Sequence, residues 1–282
     1  MISRKTRRKA TNIVMFTVTG ICALVAVSVL FFILGYLVWQ GGRALNWDFF
    51  TRLPTPVGET GGGFANAIVG SAKLLLLASL IGVPIGFLGG VYLAEFGGSA
   101  WGFAVRYTTD LLNGVPSIVI GIFMYALIVL PMKHFSTLAG GVALGVMMIP
   151  IAVRSTEEFL RAVPNSLREA ALALGATKWQ ALVTVVIPAA MRGIITGIML
   201  DLARVAGETA PLLFTAFSNR FWSPGWNQPI ASLPVMIFNY AISPYEDWHQ
   251  QAWAAGLVLL SLIMITNVSA RLILRRHTHG SH

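Results

Sequence analysis

The sequence predicts an all-α polytopic membrane bundle of six transmembrane helices with both termini on the cytoplasmic side. Three observations carry that expectation. Hydrophobic residues make up 56% of the 282 residues, and Asp, Glu, Lys and Arg together only 11%, where a water-facing surface needs about 25%. Long uncharged runs recur at lengths that suit a hydrocarbon core of about 30 Å. The basic residues gather in alternate connecting segments. The lone cysteine, Cys22, lies inside an apolar run and excludes a disulfide scaffold. A formal net charge of +9 would suit a nucleic-acid binder, but the placement of the charges speaks for topology instead.

Residues 1–12 form a basic cytoplasmic N-terminus with Arg4, Lys5, Arg7, Arg8 and Lys9. Residues 13–39, Ile13 to Trp39, carry no charge and read as a first transmembrane helix of about 40 Å. The run is too long for a signal peptide and is expected to stay as a span. Residues 64–274 read as a core of five more spans, at about Ala67–Leu93, Leu111–Leu130, Leu138–Val153, Gly193–Phe217 and Trp253–Leu274. Each must satisfy its own backbone in lipid and is therefore helical, and none alternates as a barrel strand would. With the N-terminus inside, most of the 20 Lys and Arg fall on inner segments, while the outer ones hold Arg43, Arg52, Lys133 and Arg220. Anionic lipid head groups are the counterion that this bias implies.

The outer loop Gln40–Asn66 is rich in Gly and Pro, and the last outer segment, Ser218–Ala252, is long and aromatic. The inner segment 154–191 is polar and structured. Within it, Ser166 and Glu169 are spaced as a capping box, and Leu167, Ala170, Ala171 and Leu174 recur on one helical face. Gly175 supplies the left-handed residue that ends this helix. A second apolar helix begins after Lys178-Trp179 and meets Pro188. By itself this pattern would also suit an amphipathic helix lying on the membrane.

Glu169-Ala170-Ala171, then Gly175, then Val185-Val186-Ile187-Pro188 resembles the EAA loop of binding-protein-dependent ABC importers. The resemblance implies that Glu169, Ala170, Ala171, Gly175 and Pro188 couple the chain to a cytoplasmic ATPase. Val185 and Ile187 stand where that pattern has Ile and Leu. The chain shows no ATP machinery of its own, since Gly58–Gly63 lacks the Lys-Ser/Thr of a phosphate-cradling loop. No metal-ligand spacing appears, and His277, His279 and His282 sit in a tail expected to be unstructured. No cofactor is expected, ATP being bound by a partner, and the chain is not expected to be an enzyme.

Asp201, Arg204 and Glu208 interrupt the fifth span. At about 100° per residue they project from one sector, and each charge costs about 2.5–3.5 kcal/mol at mid-bilayer. They must therefore face protein or water. Pro211 cannot donate to the carbonyl of Gly207, which predicts a bent or broken helix beside Thr209. Two readings stay open from the residues alone. Arg204 is an internal ion pair with Asp201 and Glu208 that pins the bundle, or it lines a pathway and forks onto an oxyanion.

The run Ala203-Arg204-Val205-Ala206-Gly207-Glu208-Thr209-Ala210-Pro211-Leu212-Leu213-Phe214-Thr215 resembles the signature of phosphate-importer permeases. Its Ala-Pro-Leu-Leu-Phe-Thr continuation is similar to the PstA type rather than the PstC type. Asn113-Gly114-Val115-Pro116-Ser117-Ile118-Val119 and Trp222…Gln228-Pro229-Ile230-Ala231-Ser232-Leu233-Pro234 resemble that family too, and the similarity runs from about Phe64 to Arg271. It implies an inner-membrane subunit that imports inorganic phosphate by alternating access, with Arg204, Glu208, Asp201 and Thr209 along the pathway. The partners it implies are a homologous PstC-like permease, a PstB-like ATPase dimer and a PstS-like extracytoplasmic phosphate-binding protein. A permease for sulfate or molybdate is the nearest alternative, and an ion-coupled secondary transporter with membrane carboxylates a more distant one. Other residues take plainer roles. Lys73 snorkels to the head groups in preference to lining the pathway, Met147 and Met148 pack or face lipid, and Trp39, Trp47, Trp248 and Trp253 anchor at the interfaces.

Overall fold

The computed structural model describes residues 4–56, 59 and 61–276; His277, His279 and His282 lie outside them. Every regular element among the described residues is helical. α1 (Arg4–Ala44) and the short α2 (Trp47–Thr51) lead to α3 (Ala65–Phe96). α4 (Ala100–Gly114) turns into α5 (Ser117–Met132), followed by α6 (Thr137–Arg161) and α7 (Asn165–Ala173). α8 (Lys178–Ala206), α9 (Ala210–Thr215), α10 (Leu233–Ala241) and α11 (Glu246–Arg276) complete the chain. α1, α3, α6, α8 and α11 are each long and apolar enough to cross a membrane, and the bent α4–α5 pair makes a sixth span. The end that carries α7 is called inner below, after the charge bias.

The centre of the bundle is the seam between α3 and α6. Gly82, Gly86 and Gly90 recur every fourth residue on α3 and so share one face. A methyl group on Gly82 would lie 2.7 Å from the Met148 side chain, and one on Gly86 or Gly90 would collide with Ala152 or Thr156. α6 answers with Gly141, where a methyl group would meet Leu77 at 2.5 Å. In lipid, apolar burial does not drive helices together, so association rests on close packing of this kind. α6 is accordingly the most enclosed of the spans.

Three expected spans change their bounds most, the fifth, Gly193–Phe217, becoming the second half of α8, a break and α9. Leu111–Leu130 is not one helix: residues 111–114 belong to α4, and the chain turns through 102° before α5. Pro116 explains it, because it pushes Val115 into an extended conformation (φ −74°, ψ 127°). Leu138–Val153 extends to Thr137–Arg161, capped by Ser136, whose Oγ accepts from the Ala139 N–H at 3.1 Å. The inner segment 154–191 is therefore not one unit but the end of α6, all of α7 and the beginning of α8. Pro188 does not stop α8. A wide π turn over Leu182–Val186 comes first, with the Ile187 N–H bonded to the Leu182 carbonyl. The Tyr125–Val129 π turn stands in the same relation to Pro131. Each turn shifts the ladder by one residue just where proline would break it.

The last outer segment does not lie outside as a loop. Ile230, Ala231, Ser232, Leu233, Val235 and Met236 are buried, and α3 holds the returning strand of chain at three levels. Asn66 donates to the Asn219 carbonyl (2.7 Å), the Ser71 hydroxyl accepts from the Leu233 N–H (2.8 Å), and the Lys73 ammonium donates to the Ser223 carbonyl (2.8 Å). Lys73 thus points to the returning segment instead of snorkelling to the head groups; it also sits 5.6 Å from the Trp226 ring. Trp248 departs from the expected interfacial role by stacking on Tyr240 at 4.2 Å, in a chain of rings that continues to Phe64 and Phe49. Trp39 and Trp47 stay exposed, as anchoring requires.

Burial sorts this segment by reactivity. In a Cys22→Ser background, Phe221→Cys and Trp222→Cys should react with an impermeant thiol reagent, their parent residues being 72% and 51% exposed. Leu233→Cys and Met236→Cys should stay protected. Equal labelling of all four would show an ordinary external loop.

Candidate functional site

α8 ends where the sequence places a break. The Gly207 N–H turns back to the Arg204 carbonyl and the Glu208 N–H to the Val205 carbonyl, both at 3.1 Å, and helix resumes only at Ala210. Close approach of Pro211 to Gly121 then seats α9 against α5, leaving no room for a side chain at position 121. Arg204 and Glu208 line one shallow cleft with Asn113, Val115, Met147 and Ile151. The α4–α5 corner and the α8 break, widely separated in sequence, therefore meet at a pair of charges. The cleft holds about 20 Å3, room for about one water and less than a tetrahedral oxyanion occupies.

The internal ion pair among Asp201, Arg204 and Glu208 does not form. Among the described residues no carboxylate lies within 4.0 Å of Arg204, and its side chain is exposed. Glu208 lies beyond the break, so helical i, i+4 spacing no longer joins it to Arg204. Asp201 is 2% exposed and sits one turn from Gly197, where the missing side chain lets Ser155 of α6 approach. Its two carboxylate oxygens have no hydrogen-bond partner within the described chain. Thr209 is half-buried beside the break and makes no capping bond. The structure thus joins Arg204 to Glu208 in one cleft and leaves Asp201 and Thr209 outside its wall.

A second charged cluster lies at the inner end, where the sequence reading counts arginines only for topology. Glu157 is 2% exposed and receives the guanidinium of Arg106 at 2.6 Å, Arg161 at 3.2 Å and Arg154 at 3.4 Å. Arg154 also donates to Asp110 on α4 at 2.8 Å. The signal was present in the sequence: Arg154 and Arg161 stand three residues before and four after Glu157, on one helical face. The third arginine was not legible, because Arg106 arrives from α4. One buried carboxylate thus organises three cations and ties α4 to α6.

α7 is the segment that the sequence resemblance assigns to docking. Its expected capping box is absent: Pro164 occupies the N-cap, Ser166 falls inside the helix and makes no cap bond, and Glu169 is exposed. The box forms one helix later, between Thr177 and Gln180. Gly175 has the expected left-handed φ of +88°, and bonds from Gly175 to Leu172 and from Ala176 to Ala171 close the helix end. Ala170 and Pro188 are exposed while Ala171 packs inward. Leu174 and Trp179 are 89% and 68% exposed, an apolar surface facing away from the bundle. Behind it, Arg168 pairs with Glu95 of α3 and donates to the Leu160 carbonyl of α6 at 3.2 Å.

Residues 82–279 match the family described as "Binding-protein-dependent transport system inner membrane component". The chain is 45% identical over 266 residues to the phosphate transport system permease protein PstA of Haemophilus influenzae, covering 94% of each chain. It is 43% identical over 267 residues to the protein of the same name from Yersinia pestis, covering 92% of this chain and 90% of that one. A bacterial alginate ABC transporter, solved in complex with a pentasaccharide-bound periplasmic protein, superposes with a TM-score of 0.66 at 16% identity over 98% of both chains. That likeness concerns the fold.

The Glu157 cluster sets a stability prediction. Glu157→Gln keeps the shape and removes the charge that three guanidiniums share, which should cost about 2 kcal/mol in the unfolding of the purified chain in detergent. Arg161→Ala removes a half-exposed partner and should cost less than about 1 kcal/mol. Equal stability of Glu157→Gln and the parent chain would remove the cluster from the scaffold.

Proposed function

The chain belongs to the binding-protein-dependent transport system inner membrane components, and we propose that its Arg204–Glu208 cleft is where it meets phosphate. The chain is a permease subunit of an ABC importer of phosphate, located in the inner membrane. The observation that carries the site is the free guanidinium. Arg204 stands at a position where charge is costly and pairs with no carboxylate among the described residues. A tetrahedral oxyanion offers paired oxygens to that planar fork. Asn113 adds an amide donor at the same cleft.

Because the cleft is shallow and smaller than the anion, its other wall belongs to a second subunit, in this reading a homologous PstC-like permease. An extracytoplasmic PstS-like protein delivers phosphate to the outer end. A cytoplasmic PstB-like ATPase dimer binds the ATP and seats the exposed face of α7. Its closure moves α7, and Arg168 passes that displacement to α3 through Glu95 and to α6 through the Leu160 carbonyl. The bundle then opens outward for phosphate. In this role the chain itself carries no bond-making chemistry and no cofactor. In this reading both termini are cytoplasmic. Glu208 keeps the cleft from holding phosphate too firmly, since a carboxylate beside the anion weakens its binding.

Labelled phosphate uptake into vesicles holding the complete importer and ATP tests the reading, with sulfate as the control. Arg204→Lys keeps the charge and loses the fork, so uptake should fall at least about tenfold, the equivalent of about 1.4 kcal/mol. Arg204→Ala should abolish uptake and, because no ion pair is broken, change stability by less than about 0.5 kcal/mol. Unaltered phosphate uptake by Arg204→Ala would overturn the site.

The docking helix has its own test. Gly175→Val forces a branched side chain into a left-handed position at a cost of about 1–2 kcal/mol, with open space around the new Cβ. The variant should insert and be recovered in normal amount while ATP-driven uptake is lost. Normal uptake would contradict the role of α7.

A further inference from the structure

At the outer end of the bundle a cavity of about 640 Å3 opens between the last turns of α1, the end of α10 and the first turns of α11. It shares no lining residue with the Arg204 cleft, and its size falls among small-molecule sites of about 300–1,000 Å3. Its lining is graded with depth. Arg43 and Glu246 stand at the rim, Gln40 and His249 about one turn deeper, and Tyr36 and Trp253 about two turns deeper, their rings in edge contact at 5.2 Å. That gradient of ions, then amides and imidazole, then aromatic rings, is the polarity profile of a membrane interface.

The two rim charges are opposite in sign and are not spent on each other. Among the described residues Arg43 has no carboxylate within 4.0 Å, and Glu246 has only His249 Nδ1, at 3.7 Å. The other nitrogen of His249 is held 2.6 Å from the Ser243 carbonyl, which fixes the ring in the wall. Below the cavity α1 leaves Phe32 and Leu30 exposed along its length, an apolar track continuous with the polar rim.

We propose that this cavity binds the head group of a zwitterionic phospholipid that carries a primary ammonium beside its phosphate. The phosphate oxygens fork onto Arg43, the ammonium donates to Glu246, and the acyl chains run down the exposed side of α1. A choline head has no N–H to give to Glu246. An anionic glycerol head would place the same phosphate on Arg43 but bring no cation to Glu246, leaving that carboxylate unneutralised beside the anion.

The test uses the full chain in vesicles containing equal fractions of phosphatidylethanolamine, phosphatidylcholine and phosphatidylglycerol with identical acyl chains. Lipid retained after extraction is counted by native mass spectrometry. Phosphatidylethanolamine should be retained about tenfold over the other two. Glu246→Gln should erase that preference, and Arg43→Ala should lower retention of all three. Arg52→Ala, an outer arginine that pairs with Asp48 at 3.2 Å, should behave as the parent chain. Soluble phosphoethanolamine should displace the retained lipid. Displacement by inorganic phosphate at the same concentration would make the cavity a site for the free anion and overturn the lipid assignment. Equal retention of the three lipids, or an unchanged preference in Glu246→Gln, would overturn it as well, as would loss of the retained lipid on assembly with a partner chain.

Discussion

Everything in this bundle leans on the approach of α3 to α6 at backbone distance. Three glycines on one face of α3 and another on α6 leave gaps that Met148, Ala152, Thr156 and Leu77 fill. Lipid is as apolar as leucine, so the seam gains nothing from excluding water and depends on dense contact. A single methyl group at Gly86 or Gly90 has no place to go. The same pair of helices carries the outer and inner attachments. α3 holds the returning segment through Asn66, Ser71 and Lys73, and α6 holds α4 through Glu157. Because both attach to one rigid pair, the two ends of the molecule are fixed relative to each other.

Much of the fold was legible in the sequence because the bilayer imposes long, simple signals. A charge-free run of this length has no option but helix, and a proline inside such a run predicts a defect. What the sequence could not give was the form of the defect. Pro116 turns the chain by 102°, since it holds Val115 extended where α4 ends. Pro188 changes nothing in direction, since a π turn absorbs it. The difference lies in the preceding turn and not in proline. The glycine stripe of α3 was visible as spacing but acquires meaning only when α6 is known to face it.

The candidate site was legible in part, for a similar reason. Local spacing identified Arg204, Glu208 and the break after Ala206. It failed for the ion pair, because helical arithmetic assumes that the helix continues, and the break removes Glu208 from the face it would have shared with Arg204. The Ser166–Glu169 capping box failed likewise: the residues have the spacing, but Pro164 starts the helix before Ser166. Asn113 could be placed beside Arg204 only through tertiary structure, because the α4–α5 corner folds back onto the α8 break. Resemblance marked both segments without saying that they touch.

The two charged clusters differ in how they are balanced, and the difference follows from their supports. Glu157 lies on α6 inside the scaffold, and its three arginines are bound in a closed set whose separation would leave charge stranded at low dielectric. Arg204 lies on the last turn of α8, just before the chain unwinds, and has no carboxylate partner among the described residues. α8 meets α6 through Gly193 and Gly197, which let Phe159 and Ser155 come close, so α8 is carried along with the seam. The unwound residues Gly207–Thr209 then make a joint between α8 and α9. Under the proposed coupling, a push on α7 passes through the Arg168 contacts to α3 and α6, carries α8 with them, and is taken up at that joint. In the proposed importer this places the free guanidinium at the boundary between the part that moves rigidly and the part that yields. There, a small displacement changes the depth of the cleft without breaking any bond that holds the bundle together.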